Sequence, residues 1–191
     1  MQPSREQAMA LLREFTQSDS LIKHALAVEV AMRAYARKFG EDEEKWGVVG
    51  LIHDFDYEQN PTWDTHVHEG VRILRERGWP EEIVQAAASH ASYMEIPRDD
   101  LLKKALFAVD ELTGFVAAVA LVRPSKSIMD VEPSAVRKKM KDKAFARAVS
   151  REDIVRGAEE LGIPLEEHIA LVTRAMQSIA GELGLEGTQA S

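Results

Sequence analysis

An imidazole and a carboxylate stand side by side at the end of an apolar run in this sequence. The run is GLIHDFDY, residues 50–57, in which His53 and Asp54 follow Leu51 and Ile52. Packing alone does not require such a pair, whereas both side chains are good ligands for divalent metal ions. The chain contains no cysteine, so a metal site has to be built from histidine and carboxylate groups.

Other histidines and an aspartate fall on helix faces that point inward. His24 precedes Val28 by four residues and His53 follows Val49 by four, which is the spacing of side chains on one buried helix face. The same spacing predicts buried or half-buried positions for three more groups: His66, His90 and Asp110. Because a buried carboxylate without a partner costs several kcal/mol, Asp110 needs a cation nearby.

Each of these groups has an ordinary alternative. A single histidine on an apolar face is more often a hydrogen-bonded core residue than a ligand, and an isolated buried aspartate is often a helix cap or an ion-pair partner. One or two divalent ions would instead satisfy the four histidines and both aspartates together, and we favour that interpretation. His68 is in register with Arg72 and Arg75 and is predicted to face solvent. His168 is predicted to be a core or helix-end residue.

Apolar residues recur at spacings of three and four along nearly the whole chain, which predicts an all-α fold. Glycine and proline residues mark most of the helix ends. Helices are predicted at about 4–17, 20–39, 42–54, 64–78, 81–93, 98–122, 141–148, 150–161 and 165–183.

The length of 191 residues and the 45% hydrophobic content suit a single domain with a sizeable core. We expect a metal-binding core at about 20–122, a basic loop and helix at 123–143, and C-terminal helices at 150–183 packed on that core. The net charge of −8 disfavours nucleic acid as a partner. The N-terminus has no apolar signal core, so a cytoplasmic protein without a membrane partner is expected. The oligomeric state is left open.

The order of the candidate ligands resembles that of the HD-domain superfamily of metal-dependent phosphohydrolases. The resemblance rests on His24, the pair His53-Asp54 and Asp110, in that order, and covers about residues 20–122. It implies an HD-domain helical bundle in which these four residues hold one metal ion and Asp54 can bridge to a second. His53 and Asp54 would then also be the catalytic pair.

Two further histidines resemble those of the two-metal branch of this superfamily. In HVHEGVRIL, residues 66–74, the spacing from the first histidine to the glycine matches the branch and selects His66 over His68. In AASHAS, His90 stands where the next ligand of the branch lies. The resemblance thus implies that Asp54, His66 and His90 hold a second ion. Such nitrogen and oxygen ligands suit Fe, Mn, Zn, Co or Ni without choosing among them.

The resemblance implies hydrolysis of a small phosphoester, such as a nucleotide, by water that the metal ions activate. Two alternatives use the same ligands. Some HD-fold proteins with these six metal residues are di-iron oxygenases, and a metal-stabilised binding module without catalysis is the third interpretation. Turnover that needs oxygen and iron would favour the oxygenase, whereas anaerobic turnover with Mn or Co would favour the hydrolase.

The sequence departs from better-known relatives directly after the HD pair. Those relatives continue with Ile-Gly and often a lysine near the phosphate, whereas Phe55, Asp56 and Tyr57 follow here. We therefore expect Arg123 and Lys126, which come after the helix of Asp110, to bind the substrate. The basic residues of the next helix are expected to be solvated. The stretches VDELTGFVAAVALVRPSK and KKMKDKAF resemble those of a small group of uncharacterised bacterial HD hydrolases. This second resemblance does not indicate which substrate the protein uses.

Overall fold

The computed structural model describes residues 2–187 and has the all-α architecture that the sequence predicts. This part of the chain forms α1 (Arg5–Phe15), α2 (Asp19–Phe39), α3 (Glu43–Ile52), α4 (His68–Glu76), α5 (Glu81–Ala88), α6 (Leu101–Leu121), α7 (Pro133–Met140), α8 (Arg151–Leu161), α9 (Leu165–Gln177) and α10 (Ala180–Leu183). Short 3-10 turns at Ser92–Met94 and Ile128–Asp130 lie in the connections. Between residues 2 and 187 no helix has the length and apolar character needed to cross a membrane.

Several helices begin and end at residues whose chemistry suits a helix end. Ser4 and Gln7 form a capping box at the start of α1, and Asp42 accepts hydrogen bonds from two backbone N–H groups at the start of α3. Helices α2 and α8 end at Gly40 and Gly162, whose φ angles are 73° and 67°. Glycine adopts this left-handed conformation without steric cost, so both helices stop where the sequence predicts.

The two longest helices, α2 and α6, form the centre of the fold. They pack against each other, and α3, α8 and α9 pack around them. Val28 and Met32 of α2 and Leu106 and Phe115 of α6 are fully buried at this centre. Because His24 lies on α2 and Asp110 lies on α6, the packing of these two helices decides how close the candidate ligands come.

Gly50 allows α3 to approach α2 closely. A Cβ atom built at Gly50 would lie 2.9 Å from Cα of Glu29, a distance that a real side chain does not tolerate. The ring of His53 follows three residues later, at the end of α3. The close approach brings this ring beside His24, with 5.2 Å between the ring centroids.

The predicted helix at 141–148 is wrong, since α7 ends before it and the segment forms turns. Asp142 Oδ1 accepts hydrogen bonds from the backbone N–H groups of Ala144 and Phe145. The guanidinium of Arg151 donates to backbone carbonyl groups of the same turns. These side-chain contacts satisfy the backbone in place of a helical ladder.

Three other helices are shorter than predicted. Helix α4 begins at His68 instead of residue 64, and α5 ends at Ala88 instead of residue 93. The single helix predicted at 165–183 is divided into α9 and α10. As a result, two of the candidate ligands, His66 and His90, lie in turns next to helix ends instead of on helix faces.

Candidate metal centre

His53 is held at the C-terminal end of α3 with its side chain fully enclosed. Its Nδ1 lies 2.8 Å from the carbonyl oxygen of Gly50, and because a carbonyl can only accept, Nδ1 is the donor. His90 repeats this arrangement after α5, where Nδ1 donates to the carbonyl of Ala87 at 2.7 Å. In the neutral form of both rings, Nε2 therefore presents a lone pair.

These lone pairs face carboxylate oxygens. His53 Nε2 lies 3.5 Å from Asp54 Oδ2 and 3.4 Å from Asp110 Oδ1, and His90 Nε2 lies 3.0 Å from Asp54 Oδ1. Within residues 2–187, neither His53 Nε2 nor Asp54 Oδ1 has a hydrogen-bond partner. Acceptors that face each other repel unless a proton or a cation lies between them, so these buried atoms fit a metal site.

The candidate ligands form two groups that share one carboxylate. Ligand atoms within 4.8 Å of one another define both groups, the first being His24, His53, Asp54 and Asp110 and the second being Asp54, His66 and His90. The two oxygens of Asp54 divide between the groups, with Oδ2 on the side of His24 and His53 and Oδ1 on the side of His66 and His90. All six residues singled out in the sequence are thus brought together.

The charges of the site are strongly coupled. Burial by itself would raise the pKa of Asp54 and Asp110, but neighbouring imidazoles, His53 foremost, hold both pKa values well below their usual range. Burial likewise opposes the charged form of His66, yet Asp54 and Asp56 raise its pKa to about 9. The carboxylates of Asp54 and Asp110 are therefore ionised at neutral pH and need positive charge next to them, which protons or metal ions can supply.

A loop held by Asp56 carries His66. Asp56 is buried, and its Oδ2 accepts hydrogen bonds from the backbone N–H groups of Val67 at 3.0 Å and Gly70 at 3.2 Å. Val67 has a φ of 64° and precedes the first residue of α4. The placement of His66 on a helix face is therefore wrong, although its Nε2 does lie 3.2 Å from Asp54 Oδ1. The sequence analysis did not identify a role for Asp56. This residue lies in a turn, where the helical spacing of apolar residues gives no information about the direction of a side chain.

Five of the six candidate ligands, all except His53, line an open cleft of about 390 Å³. Tyr57 and Tyr93 form part of its wall beside His66, and Tyr93 donates a hydrogen bond from its hydroxyl to the backbone carbonyl of His66 at 3.1 Å. Glu111 also lines the cleft, and its Oε2 accepts a hydrogen bond from the backbone N–H of Ser150. Burial raises the pKa of Glu111. A small molecule can therefore reach the candidate ligands from solvent.

Arg123 and Lys126 do not line this cleft. Both follow the C-terminal end of α6, whereas Asp110 lies near the middle of that helix. The helix from Asp110 to its last residue, Leu121, extends roughly 16 Å at the usual rise per residue. Their role in substrate binding stays a prediction.

The two remaining histidines lie outside both ligand groups, as expected. His68 is exposed at the first residue of α4. His168 is fully buried, with Nδ1 2.5 Å from the hydroxyl of Tyr35 and Nε2 2.9 Å from the carbonyl oxygen of Ala108. Both ring nitrogens of His168 are therefore satisfied within the core, which confirms its prediction as a core residue.

Fold and site together define an all-α protein with a His/Asp cluster suited to metal ions. Residues 21–114 match the family model of the HD domain, in agreement with the resemblance that the sequence carries. The matched segment contains all six candidate ligands from His24 to Asp110. The HD domain and the two groups imply binding of divalent metal. No curated protein and no solved structure matches the chain.

Proposed function

We propose that this protein is a metal-dependent phosphohydrolase that cleaves a small phosphoester by metal-activated water. HD domains suggest this class of activity. The observation that carries the proposal is the division of the two Asp54 oxygens between two His/Asp groups beside an open cleft. A pair of neighbouring cations is the arrangement that in-line attack on phosphorus uses.

The residues of the first group, His24, His53, Asp54 and Asp110, would hold one ion. His66 and His90 would hold a second ion together with Asp54. The unpaired Nε2 of His53 and Oδ1 of Asp54 support this assignment, and the set of nitrogen and oxygen donors suits Fe, Mn, Zn, Co or Ni. Bound ions of this kind lower the pKa of water and neutralise charge on a phosphoryl group.

Backbone and side-chain groups of the protein orient the candidate ligand rings and shape the cleft. The carbonyl groups of Gly50 and Ala87 fix the rings of His53 and His90, so Nε2 of each ring stays directed at the site before any ion arrives. The ring of Tyr57 lies edge-on to that of His66, at 5.1 Å between centroids, and closes one side of the cleft. These groups hold the candidate ligand rings in place along the cleft that a phosphate group would enter, which favours alignment for in-line attack.

Arg123 and Lys126 are the substrate-binding residues that the sequence predicts. Under that proposal, Lys126→Ala lowers kcat/KM by roughly tenfold or more without changing metal content. Unchanged kcat/KM in both single alanine variants would contradict it. Tyr57, which lines the cleft, would then be the next residue to substitute.

Metal analysis of protein purified without added metal, followed by a phosphoester panel with and without oxygen, tests the proposal. We expect bound divalent metal and phosphate release that is equal in air and under anaerobic conditions, and that is absent in Asp54→Ala. Asp130→Ala is the matched control, because Asp130 is exposed and distant in sequence from the cluster. Turnover that requires iron and oxygen would contradict hydrolysis and favour the oxygenase. Bound metal with no turnover under any condition would favour a binding module.

A further inference from the structure

A second cavity adjoins the cleft and is almost entirely apolar. It has a volume of about 350 Å³ and lies between α2, α6 and the segment around α10. His24 and Gly114 line both this cavity and the cleft with the candidate metal ligands. Its apolar wall consists of Ala27, Ala117, Leu121, Met176, Leu183 and Leu185. We refer to it as the apolar cavity.

The apolar cavity leads away from the metal site along the two central helices. On α2 its lining runs back from His24 to Asp19, and on α6 it runs forward from Gly114 to Leu121. The seven-residue step along α6 corresponds to roughly 10 Å at the usual helical rise. A Cβ atom built at Gly114 meets no other atom within 4 Å, so the junction between cleft and cavity is open. An elongated group could therefore extend from the cluster into the cavity.

The charges around both spaces disfavour a polyanionic substrate. Asp54, Asp110 and Glu111 line the cleft, and no lysine or arginine of residues 2–187 is among its lining residues. The apolar cavity has one lysine, Lys23, and its Nζ lies 2.7 Å from the carboxylate of Asp19. A single phosphate group could be neutralised by metal ions, but among residues 2–187 the lining of these two spaces offers additional phosphates no lysine or arginine without a carboxylate partner.

We propose that the apolar cavity binds the leaving alcohol of the substrate, which makes the substrate class monophosphate esters of aliphatic or aromatic alcohols, not nucleoside di- or triphosphates. The inference rests on the proposed phosphohydrolase function. Hydrolysis of such an ester forms a bond between phosphorus and a water oxygen and breaks the bond from phosphorus to the alcohol oxygen. The alcohol oxygen takes one proton of the water, so that ROPO₃²⁻ and H₂O give ROH and HPO₄²⁻. Burial of the alcohol in the apolar cavity supplies affinity that the few polar contacts do not.

Binding of n-alkylphosphonates tests the cavity without any turnover. Calorimetry on the Mn²⁺-loaded protein would measure Kd for methyl-, butyl-, hexyl- and octylphosphonate, which cannot be hydrolysed at the P–C bond. We expect Kd to fall by about fourfold for each methylene that enters the cavity. The heat-capacity change of binding should become more negative with chain length. A Kd that does not depend on chain length would overturn the proposal even if the protein hydrolyses phosphoesters.

The uncharged n-alcohols from butanol to octanol separate this inference from the metal-dependent function. They need no ion, so chain-length-dependent binding to metal-free protein would support the apolar cavity even if the phosphohydrolase proposal failed. The reverse result, metal-dependent phosphatase activity with no chain-length effect in either series, would retain the function and reject the cavity.

Two substitutions on α6 form a matched pair. Ala117→Leu places a larger side chain in the apolar cavity, whereas Ala118→Leu adds the same atoms at the next residue, about 100° around the helix and outside both spaces. We expect the ratio of Kd between methyl- and octylphosphonate to shrink by about tenfold in the first variant and to stay unchanged in the second. Equal ratios in the two variants would contradict the proposal.

A second variant, at the protein surface, keeps the test possible if Ala117→Leu does not fold. Leu121 is half exposed at the far end of the apolar cavity, so Leu121→Gln keeps the core intact and should also shrink the ratio. Sedimentation velocity on both variants checks a different occupant. If the wild-type protein is a dimer that either variant dissociates, and chain length has no effect on Kd, the cavity binds a second copy of the chain and the proposal is wrong.

Discussion

The carboxylate of Asp56 lies directly behind the imidazole of His66. Asp56 Oδ1 is 3.3 Å from His66 Nδ1, while the opposite ring nitrogen, Nε2, is 3.2 Å from Asp54 Oδ1. A carboxylate on this side of the ring favours the proton on Nδ1 and leaves Nε2 free to bind an ion. Asp56 also fixes the backbone of the same loop through its other oxygen. It is therefore a positioning residue for His66.

Asp56→Asn should weaken the binding of the second metal ion by about 10- to 100-fold, the usual cost of removing a partner behind a ligand histidine. The carboxamide can still accept hydrogen bonds from the loop backbone, but it loses the charge that orients the His66 ring. Competition with a chromophoric chelator measures the affinity. Asp64→Asn, an exposed residue of the same loop, serves as the control. An affinity equal to that of the wild type would show that Asp56 is structural only.

Two helical glycines should respond to alanine in opposite ways. A Cβ atom at Gly70 would lie 2.9 Å from Oδ1 of Asp56, so Gly70→Ala displaces that carboxylate and should lower the free energy of unfolding by about 1–3 kcal/mol. Gly114 has open space around it, so Gly114→Ala should raise the free energy of unfolding by about 1 kcal/mol through helix propensity. Urea denaturation measures both. If both variants were stabilised, the loop around Asp56 would be able to relax.

Asp54→Ala should remove both metal ions, whereas His90→Ala should remove mainly the second. Asp54 Oδ1 lies 3.0 Å from His90 Nε2, and Oδ2 lies 3.5 Å from His53 Nε2, so only Asp54 belongs to both groups. Metal content per chain after dialysis, determined by elemental analysis, distinguishes the two variants. Full metal content in Asp54→Ala would mean that the two-ion arrangement is wrong.

His66→Ala should lower the metal content or the turnover rate of the protein, whereas His68→Ala should change both only slightly. His66 is buried against Asp54, whereas His68 is exposed, with its ring centroid 6.2 Å from that of Tyr93. The same metal analysis and a phosphatase assay compare the two variants. The reverse ranking would indicate that the loop before α4 takes a different course when metal is bound.

The all-α fold and the positions of the two candidate ligands on long helices were predictable because periodicity is strongest there. His24 and Asp110 lie on helices of 21 residues each, whose apolar faces leave little choice of orientation. His66 was selected for a different reason, its distance from a glycine in the resembling motif. That distance has a physical cause in the structure, because a side chain at Gly70 would meet Asp56.

The role of Asp56, the turns at 141–148 and the apolar cavity could not be predicted, because they depend on contacts between residues that no local sequence pattern connects. Asp56 acts on backbone groups 11 and 14 residues further along the chain, and no helical period connects them. The predicted helix at 141–148 had suitable spacing, but Asp142 and Arg151 satisfy its backbone in turns. The apolar cavity is formed by segments from opposite ends of the chain, so its existence could not be inferred from any one of them.

His168 should make the protein less stable as the pH falls from 6.5 towards 4. Burial lowers the pKa of His168 to about 4, although the hydrogen bond to the carbonyl of Ala108 acts in the opposite direction. An unfolded histidine has a pKa of about 6.5, so between these values the unfolded state binds a proton that the folded state does not. The stabilising contribution is therefore complete above pH 6.5 and is lost on acidification. Its size between pH 7 and pH 5 is about 2 kcal/mol.

The difference between wild type and His168→Gln isolates this effect from the other histidines, which titrate in both proteins. Urea denaturation at pH 7 and pH 5 should show that the wild type loses about 2 kcal/mol more free energy of unfolding than the variant over this interval. If His168→Gln proves too unstable to measure, the NMR titration of the His168 ring protons in the wild type gives the pKa directly. A midpoint near 6.5, or an equal loss of stability in both proteins, would show that the folded core accommodates the protonated ring.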